Sequence, residues 1–401
     1  MDFSLTQEHR MVQKMVREFA QKEVAPVIKE SDRKQEMADW ILPRMAELGI
    51  LGICLPVRYG GQGMDYISLG LVCEELEAVD STLRVVMSVH VGLNSLGLFQ
   101  WATDEQKQRF LAPQARGDKI GCFGLTEPGA GSDVAAMRSS ARLDGDEYVL
   151  NGEKMWISLA TKADHVLWVG RSRQTEDPHD DLSAFLVELD RPGISRGDIH
   201  GKLGVRAGST GWIAFQDVRV PVQNRIGLEG EGFKIAMSCL DNGRYTVAAG
   251  ATGLIRASLD ASLAYAHERQ AFGRQIGKFQ LVQQKIAHMV QSYESARLLY
   301  LRAGWMKNQG LRNTRQTSLA KWLATDASFE AASQAIQIHG AYGYSDEYDV
   351  ERYLRNAKGA VIYEGTSEIH QLIQAGYALG YRQDAALRCE LPAYDADLWQ
   401  A

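Results

Sequence analysis

The sequence predicts an α+β fold in which a β segment sits between two helical segments. Three textures point to it. Helical periodicity runs from Ser4 to about Gly117, short apolar runs without intervening helices fill Ile120 to about Arg225, and helical periodicity returns from Gly232 almost to the end. The expected division is an N-terminal helical domain (1–119), a middle antiparallel β domain (120–228) and a C-terminal helical bundle with an irregular tail (229–401). A chain of 401 residues agrees with two to three domains of about 150 residues each.

Each element follows from local signals. Ser4 and Gln7 suggest a capping box, followed by Val12, Met15, Val16 and Phe19 at helical spacing. Pro26 weakens a helix beyond Val24 without necessarily ending it. A second helix is expected from Asp39 to Leu48, closed by Gly49. The loop Tyr59-Gly60-Gly61-Gln62-Gly63 precedes a stripe of Leu69, Val72, Cys73 and Leu76, and another apolar helix is expected from Arg84 through Phe99. In the middle segment, Asp144-Gly145-Asp146 separates two strands, and Tyr148 to Gly152 suggests a strand and then a turn. Val166 to Val169, Ala184 to Val187, Trp212 to Phe215 and Val218 to Val220 supply further strands. Leu281 to Asn308 and Thr314 to Ile338 lack internal proline and suit long bundle helices.

Composition narrows the function. Hydrophobic residues make up 45% and charged residues 23%, enough to build a core and unlike a disordered chain. With 44 basic against 50 acidic side chains there is no broad basic field, so no nucleic-acid partner is expected. The five cysteines (Cys54, Cys73, Cys122, Cys239, Cys389) are odd in number and form no C-x-x-C pair. Neither a disulfide framework nor a metal site is expected. The N-terminus reads as no signal peptide, and no run approaches 18 consecutive apolar residues, so no membrane span is expected. The expected location is the cytoplasm, or the mitochondrial matrix if a targeting segment has been removed.

Four stretches carry chemistry. In Leu125-Thr126-Glu127-Pro128-Gly129-Ala130-Gly131-Ser132-Asp133, proline and two glycines force an irregular backbone that a large ligand could approach, although a surface turn has the same composition. Trp156 and Ser158 share one side of a strand, fit either to stack on a flat cofactor or to pack. Arg269 and Arg274 flank Phe272-Gly273 at a helix break, where arginine can clamp a pyrophosphate or simply meet solvent. Glu364, in Tyr363-Glu364-Gly365-Thr366, stands between an apolar run and a glycine, a setting that raises a carboxyl's proton affinity and suits proton abstraction.

Together, in this order and spacing, the four motifs resemble the acyl-CoA dehydrogenase family, from about Phe3 to Tyr381. The resemblance implies that family's fold: an N-terminal helical domain, a middle β-barrel and a C-terminal four-helix bundle. It implies non-covalent FAD. Phe123, Leu125, Thr126, Ser132, Trp156 and Ser158 match positions lining the flavin or its ribityl-phosphate chain. Arg269, Phe272, Gln280, Gln337 and Gly340 match positions that reach the FAD of the neighbouring subunit, and Thr366 and Glu368 match positions near the adenosine half. Gly340-Ala341 departs mildly from the family's Gly-Gly. A cofactor site shared between subunits implies a homotetramer built from two dimers.

The implied reaction is α,β-dehydrogenation of an acyl-CoA in fatty acid or amino acid catabolism. Glu364 takes the α-proton, a β-hydride passes to flavin N5, and electrons leave to an electron-transferring flavoprotein. The thioester oxygen is held by the ribityl 2′-hydroxyl and the main-chain N–H of the glutamate. Tyr363, Gly365, Ser132, Asp241 and Arg244 match positions on the substrate side, the last three at its CoA portion. The alternative base position of the isovaleryl-type branch is Gly243 here and cannot serve. Arg84, with Glu77 and His370, leans toward the glutaryl-CoA dehydrogenase branch, where the matching arginine faces a distal carboxylate. Val85 stands where the decarboxylating enzymes have serine. Competing expectations are a dicarboxylic acyl-CoA dehydrogenase with or without decarboxylation, an oxidase or reductase on the same fold, and a non-catalytic scaffold. Glu364 argues against the aspartate-dependent nitroalkane oxidase branch, and Glu364 with Arg269 argues against a scaffold.

Overall fold

The computed structural model describes residues 4–400. The first helix, α1 (Gln7–Glu18), is capped by Thr6, whose hydroxyl accepts from the His9 N–H while the His9 ring answers the Thr6 N–H. The capping box is therefore Thr6–His9 and not Ser4–Gln7: extended backbone at Thr6 (φ −65°, ψ 169°) places the helix start two residues later than expected. A π-helical turn over Phe19–Val24 leads into α2 (Ala25–Lys34), with Pro26 harmless in the first turn. There follow α3 (Ile41–Glu47), with Gly49 beyond it in the left-handed region at φ 70°, and α4 (Tyr66–Glu77), capped by Asp65. The helical segment Ser81–Trp101 comprises α5 (Ser81–Val86), a π stretch over Met87–Ser95 and α6 (Leu96–Trp101). It is long and apolar enough on average to cross a bilayer, yet it is entirely buried within the protein. Short helices α7 (Asp104–Gln106) and α8 (Ala112–Arg116) lead to the sheet.

The strands are β1 (Gly121–Gly124), β2 (Ser140–Asp144), β3 (Glu147–Ser158), β4 (His165–Arg171), β5 (Leu182–Glu188), β6 (Ile194–Asp198), β7 (Thr210–Pro221) and β8 (Arg225–Ile226). They form one eight-stranded sheet in the order β6-β7-β3-β2-β4-β5-β8, with β1 joining β4. The sheet is antiparallel except that β1 runs parallel to β4 and one residue pair joins β2 to β4 in parallel. The chain enters β1 from a helix rather than from a hairpin, so no turn dictates an antiparallel neighbour. Asn151-Gly152 is not a turn. β3 continues through it with a bulge against β7, because the Asn151 amide and the Asp217 main chain and carboxylate bond across the two strands.

Three long helices, α9 (Gly232–Glu268), α10 (Gln280–Asn308) and α11 (Thr314–His339), form the bundle, and α12 (Val350–Ala360) and α13 (Ser367–Ala378) together fill the fourth position beside α11. Between α9 and α10 a small hairpin pairs β9 (Gln270–Ala271) with β10 (Arg274–Gln275). Glycines on α9 let other groups come close. A Cβ at Gly250 would lie 2.0 Å from the Glu77 carboxylate, and one at Gly253 would lie 2.0 Å from the Glu74 carbonyl. The irregular tail is anchored. It ends in α14 (Ala396–Gln400), whose buried Trp399 packs edge-on against Tyr66, Phe99 and Tyr394.

Candidate active site

The turn between α12 and α13 presents Glu364 in the left-handed region at φ 55°, followed by Gly365 at φ 102°. A non-glycine residue held there is uncommon and needs the surroundings to over-determine it. Two buried cations do so. Arg244 of α9 donates through Nε to the Glu364 carbonyl at 3.0 Å, and Lys321 of α11 donates through Nζ to the Gly365 carbonyl at 2.7 Å. Thr366 then caps α13 by accepting from the Ile369 N–H.

The Glu364 side chain turns inward. Its Oε2 is shielded from water and has no hydrogen-bond partner. Desolvation raises the carboxyl's proton affinity, opposed by the charges of Arg84, Lys321 and Arg244, and leaves it at about 7. Gly243 of α9 makes the room: a Cβ there would lie 2.1 Å from Oε2. The carboxylate and a side chain at position 243 therefore compete for one volume.

Arg84 also belongs to this site. It is fully buried, and it donates to Glu77 Oε2 at 2.6 Å, to Ser88 Oγ at 3.1 Å and, through Nη2, to the Tyr363 hydroxyl. Its guanidinium lies 5.1 Å from the centre of the Tyr363 ring. The buried Glu77 carboxylate balances its charge. Arg244 is balanced in the same way by Asp241, at 3.3 Å, and Asp241 accepts a second bond from Thr314.

The 125–133 loop is held from below by a buried lysine. Lys154 of β3 donates to the Leu125 carbonyl at 3.1 Å and to Glu127 Oε1 at 2.8 Å, and its ammonium stands 5.3 Å from the Trp168 ring centre. Glu127 also accepts from the Arg138 and Ser139 N–H groups, and the Met155 N–H binds the Thr126 carbonyl. The loop is therefore shaped by buried bonds while its tip stays open: Ser132 is exposed, and a Cβ at Gly129 or Gly131 would meet nothing within 4 Å. Phe123 and Leu125 are buried at the root of this loop and Thr126 is half-buried. A second β3 bulge at Trp156, with φ 61°, puts the inward residues Lys154 and Ile157 three apart instead of two. The Trp156 ring is left 58% exposed beside the half-buried Ser158.

Arg269, Phe272, Gln280, Gln337 and Gly340 form a separate group at the far ends of the bundle helices. Arg269 lies 5.9 Å from the Tyr342 ring centre, and Phe272, at the tip of the β9–β10 hairpin, is 95% exposed. Among the described residues, no hydrogen bond or ring contact joins this group to the Phe123–Ser158 group or to Glu364. Glu368 is exposed at the start of α13.

Sequence reasoning did not single out Lys321 or the anchoring role of Lys154. For Lys321 a signal existed. Thr317, Ser318, Lys321, Ala324, Thr325 and Ser328 trace the inner face of α11, so a lysine stands in a buried stripe of small residues.

Comparison with known proteins decides the family. Residues 6–118, 122–218 and 230–378 match the N-terminal, middle and C-terminal domains of acyl-CoA dehydrogenases in turn. The chain belongs to the acyl-CoA dehydrogenase family. Among acyl-CoA dehydrogenases, the short-chain-specific enzyme of Clostridium acetobutylicum is 41% identical over 376 residues, covering 94% of this chain and 99% of that protein. The structure of butyryl-CoA dehydrogenase from Megasphaera elsdenii superposes with a TM-score of 0.92 at 37% identity, covering 94% of this chain and 100% of that one. A glutaryl-CoA dehydrogenase in complex with glutaryl-CoA superposes with a TM-score of 0.94 at 36% identity, covering 98% and 100%.

Proposed function

We propose that this acyl-CoA dehydrogenase oxidises a short-chain acyl-CoA thioester to the trans-2-enoyl-CoA, with Glu364 as the base and FAD as the bound oxidant. The observation that carries the reading is the Glu364 carboxylate, with an oxygen free of partners in a space kept open by Gly243. The surroundings fit FAD. A loop with an open glycine tip, an exposed indole beside a serine and an exposed hairpin phenylalanine offer polar edges and flat faces to an extended dinucleotide. When bound, FAD accepts a hydride from the substrate β-carbon.

The residues of this chain do the rest. Glu364 removes the α-proton, and the electrons of that C–H bond become the new double bond as the β-hydride departs. A carboxyl near 7 is a stronger base than an ordinary glutamate and is still substantially ionised at neutral pH. The Glu364 N–H, which bonds no acceptor among the described residues, is available to the thioester oxygen as negative charge develops there. Arg244 orients this peptide through its carbonyl. Asp241 and Ser132 are proposed contacts of the CoA portion, with Tyr363 and Gly365 walling the acyl end.

Neutralisation of Arg84 by Glu77 favours an uncharged acyl group, in line with the short-chain and butyryl-CoA relatives. A second reading, a dicarboxylic acyl-CoA, is favoured by the burial of Arg84 against Tyr363, beside the base. The proposed electron acceptor is an electron-transferring flavoprotein. The proposed assembly is a homotetramer in which Arg269, Phe272, Gln280, Gln337 and Gly340 reach a neighbour's FAD, while Thr366 and Glu368 lie near the adenosine half. We place the enzyme in the cytoplasm, or in the mitochondrial matrix for a chain that has shed a targeting segment.

Anaerobic titration of the purified yellow protein with butyryl-, octanoyl-, isobutyryl- and glutaryl-CoA tests this reading. Bleaching of the flavin by butyryl-CoA is expected. Bleaching by glutaryl-CoA alone would transfer the assignment to the dicarboxylic class, and a flavoprotein that no thioester bleaches would overturn both.

A further inference from the structure

Four charged or titratable groups face the Glu364 turn from the elements packed on it: two are paired with a carboxylate, one is neutral and one has no carboxylate beside it. Arg84, from α5, is paired with Glu77 of α4. Arg244 is paired with Asp241 on α9. His370 of α13 is buried, shares Nδ1 with Ser318 Oγ at 2.9 Å and has its proton affinity driven down to about 2 by desolvation and by Lys321 and Arg244, so it is neutral. Tyr363, of the turn itself, is held un-ionised by desolvation. The fourth is Lys321. It is fully buried, its Nζ bonds the Gly365 carbonyl, and among the described residues no carboxylate oxygen lies within 4.0 Å of it. Asp326, farther along α11, is occupied by Ser367 and Trp322.

We infer that Lys321 is a positioning residue for proton abstraction: its ammonium pins the Glu364–Gly365 turn through the Gly365 carbonyl and adds its charge to those of Arg84 and Arg244 in keeping the base ionised. The inference rests on Glu364 being the base. Desolvation lowers the proton affinity of Lys321 to about 7, and Glu364 also stands at about 7. Each charge favours the ionised form of the other, and Glu364 accepts a proton only when it is ionised. Removing the lysine charge removes an attraction for the carboxylate, so the Glu364 proton affinity must rise.

The test uses the FAD-loaded protein. Reduction of the flavin by butyryl-CoA is followed by anaerobic stopped flow from pH 5.5 to 9 in wild type, Lys321→Gln and Lys321→Arg, alongside FAD content, melting temperature and substrate affinity. The expected result for Lys321→Gln is an ascending limb moved up by about one pH unit, hence reduction about fivefold slower at pH 7 and nearly tenfold slower at pH 6, with flavin content and substrate affinity retained. Lys321→Arg, which keeps the charge, is expected to return the limb to its wild-type place. Should Lys321→Gln not fold, Lys321→Met takes its place, its unbranched stem filling the same channel.

A slower enzyme with an unmoved limb, or a limb moved equally in the arginine variant, would overturn the inference. Infrared titration of the Glu364 carboxyl, assigned by its absence in Glu364→Gln, reads the same shift without turnover. A wild type that no thioester reduces would defeat the dehydrogenase reading, while the infrared shift would still decide what Lys321 does to Glu364.

Discussion

At the scale of single residues, the site is organised around competition for one volume. The Gly243→Ala variant puts a methyl where Glu364 Oε2 now lies, 2.1 Å away, although alanine is the better helix former. We expect it to keep its fold and its FAD while flavin reduction by butyryl-CoA falls by about a hundredfold or more, because a displaced base loses near-attack geometry. Stopped-flow reduction beside a melting curve separates the two effects. Glu364→Gln is expected to abolish reduction with FAD retained, and it has a pH signature of its own. A carboxyl raised from 4.5 to about 7 in the fold stabilises the protein least where it must ionise. Wild type therefore loses stability as pH climbs from 4.5 through 7, while the glutamine variant does not. Its advantage in melting temperature is expected to grow over that interval and to level off above it; an advantage that shrinks with rising pH would contradict a desolvated carboxyl. Arg84→Met is a poorer probe of substrate binding, because it strands the buried Glu77 charge at a cost of about 3–5 kcal/mol. The desolvated setting expected of Glu364 was legible from its motif. Lys321 was not, because a lysine in a helical segment ordinarily meets solvent, and only packing of α11 against the turn buries it.

At the scale of elements, local signals placed helices and strands well, and failed where a bulge or a cap depends on a neighbour. The turn expected at Asn151-Gly152 is a bulge because Asp217, on another strand, holds Asn151. The exposure of Trp156 likewise comes from a bulge that alternation along β3 does not reveal. Beneath the 125–133 loop, Lys154 links the Leu125 carbonyl to Glu127. Lys154→Met leaves the Leu125 carbonyl unanswered and takes the counter-charge from Glu127, which keeps only the Arg138 and Ser139 N–H groups; we expect the loop to loosen and FAD to be lost on gel filtration, read as a lower flavin-to-protein absorbance ratio. A normal ratio would reduce Lys154 to a packing residue. The tail is tied down by Trp399. Trp399→Ala is expected to cost no more than about 3–5 kcal/mol, and less if the tail undocks on its own while the core stays folded. Limited proteolysis releasing a fragment after Tyr381 at an unchanged main melting transition would identify that local undocking.

At the scale of the whole molecule, the Arg269–Gly340 residues matched to the cofactor share no hydrogen bond or ring contact, among the described residues, with the Phe123–Ser158 residues matched to the same cofactor. The Arg269–Phe272 hairpin leaves Phe272 95% exposed with only an edge contact to Phe279, and Arg269 beside Tyr342, which is costly in water for the phenylalanine ring unless another surface covers it. The expected particle has four times the 44.5 kDa chain mass, measurable by light scattering. Arg269→Ala is expected to weaken FAD retention while leaving the protomer fold intact by circular dichroism. A monomer that retains FAD would refute the shared site.

The order of textures, helical then β then helical, and the four motifs are written in the sequence, because hydrophobic period and turn chemistry are local properties of the chain. So is the identity of Glu364, since its motif is contiguous. The tertiary structure alone decided that Arg84 arrives already paired with Glu77, that Gly243 keeps the space into which Glu364 turns, and that Lys321 bonds the Gly365 carbonyl with no carboxylate beside it among the described residues. Charge balance and excluded volume belong to pairs of residues far apart in the chain, and they exist only once α4, α5, α9 and α11 have packed together.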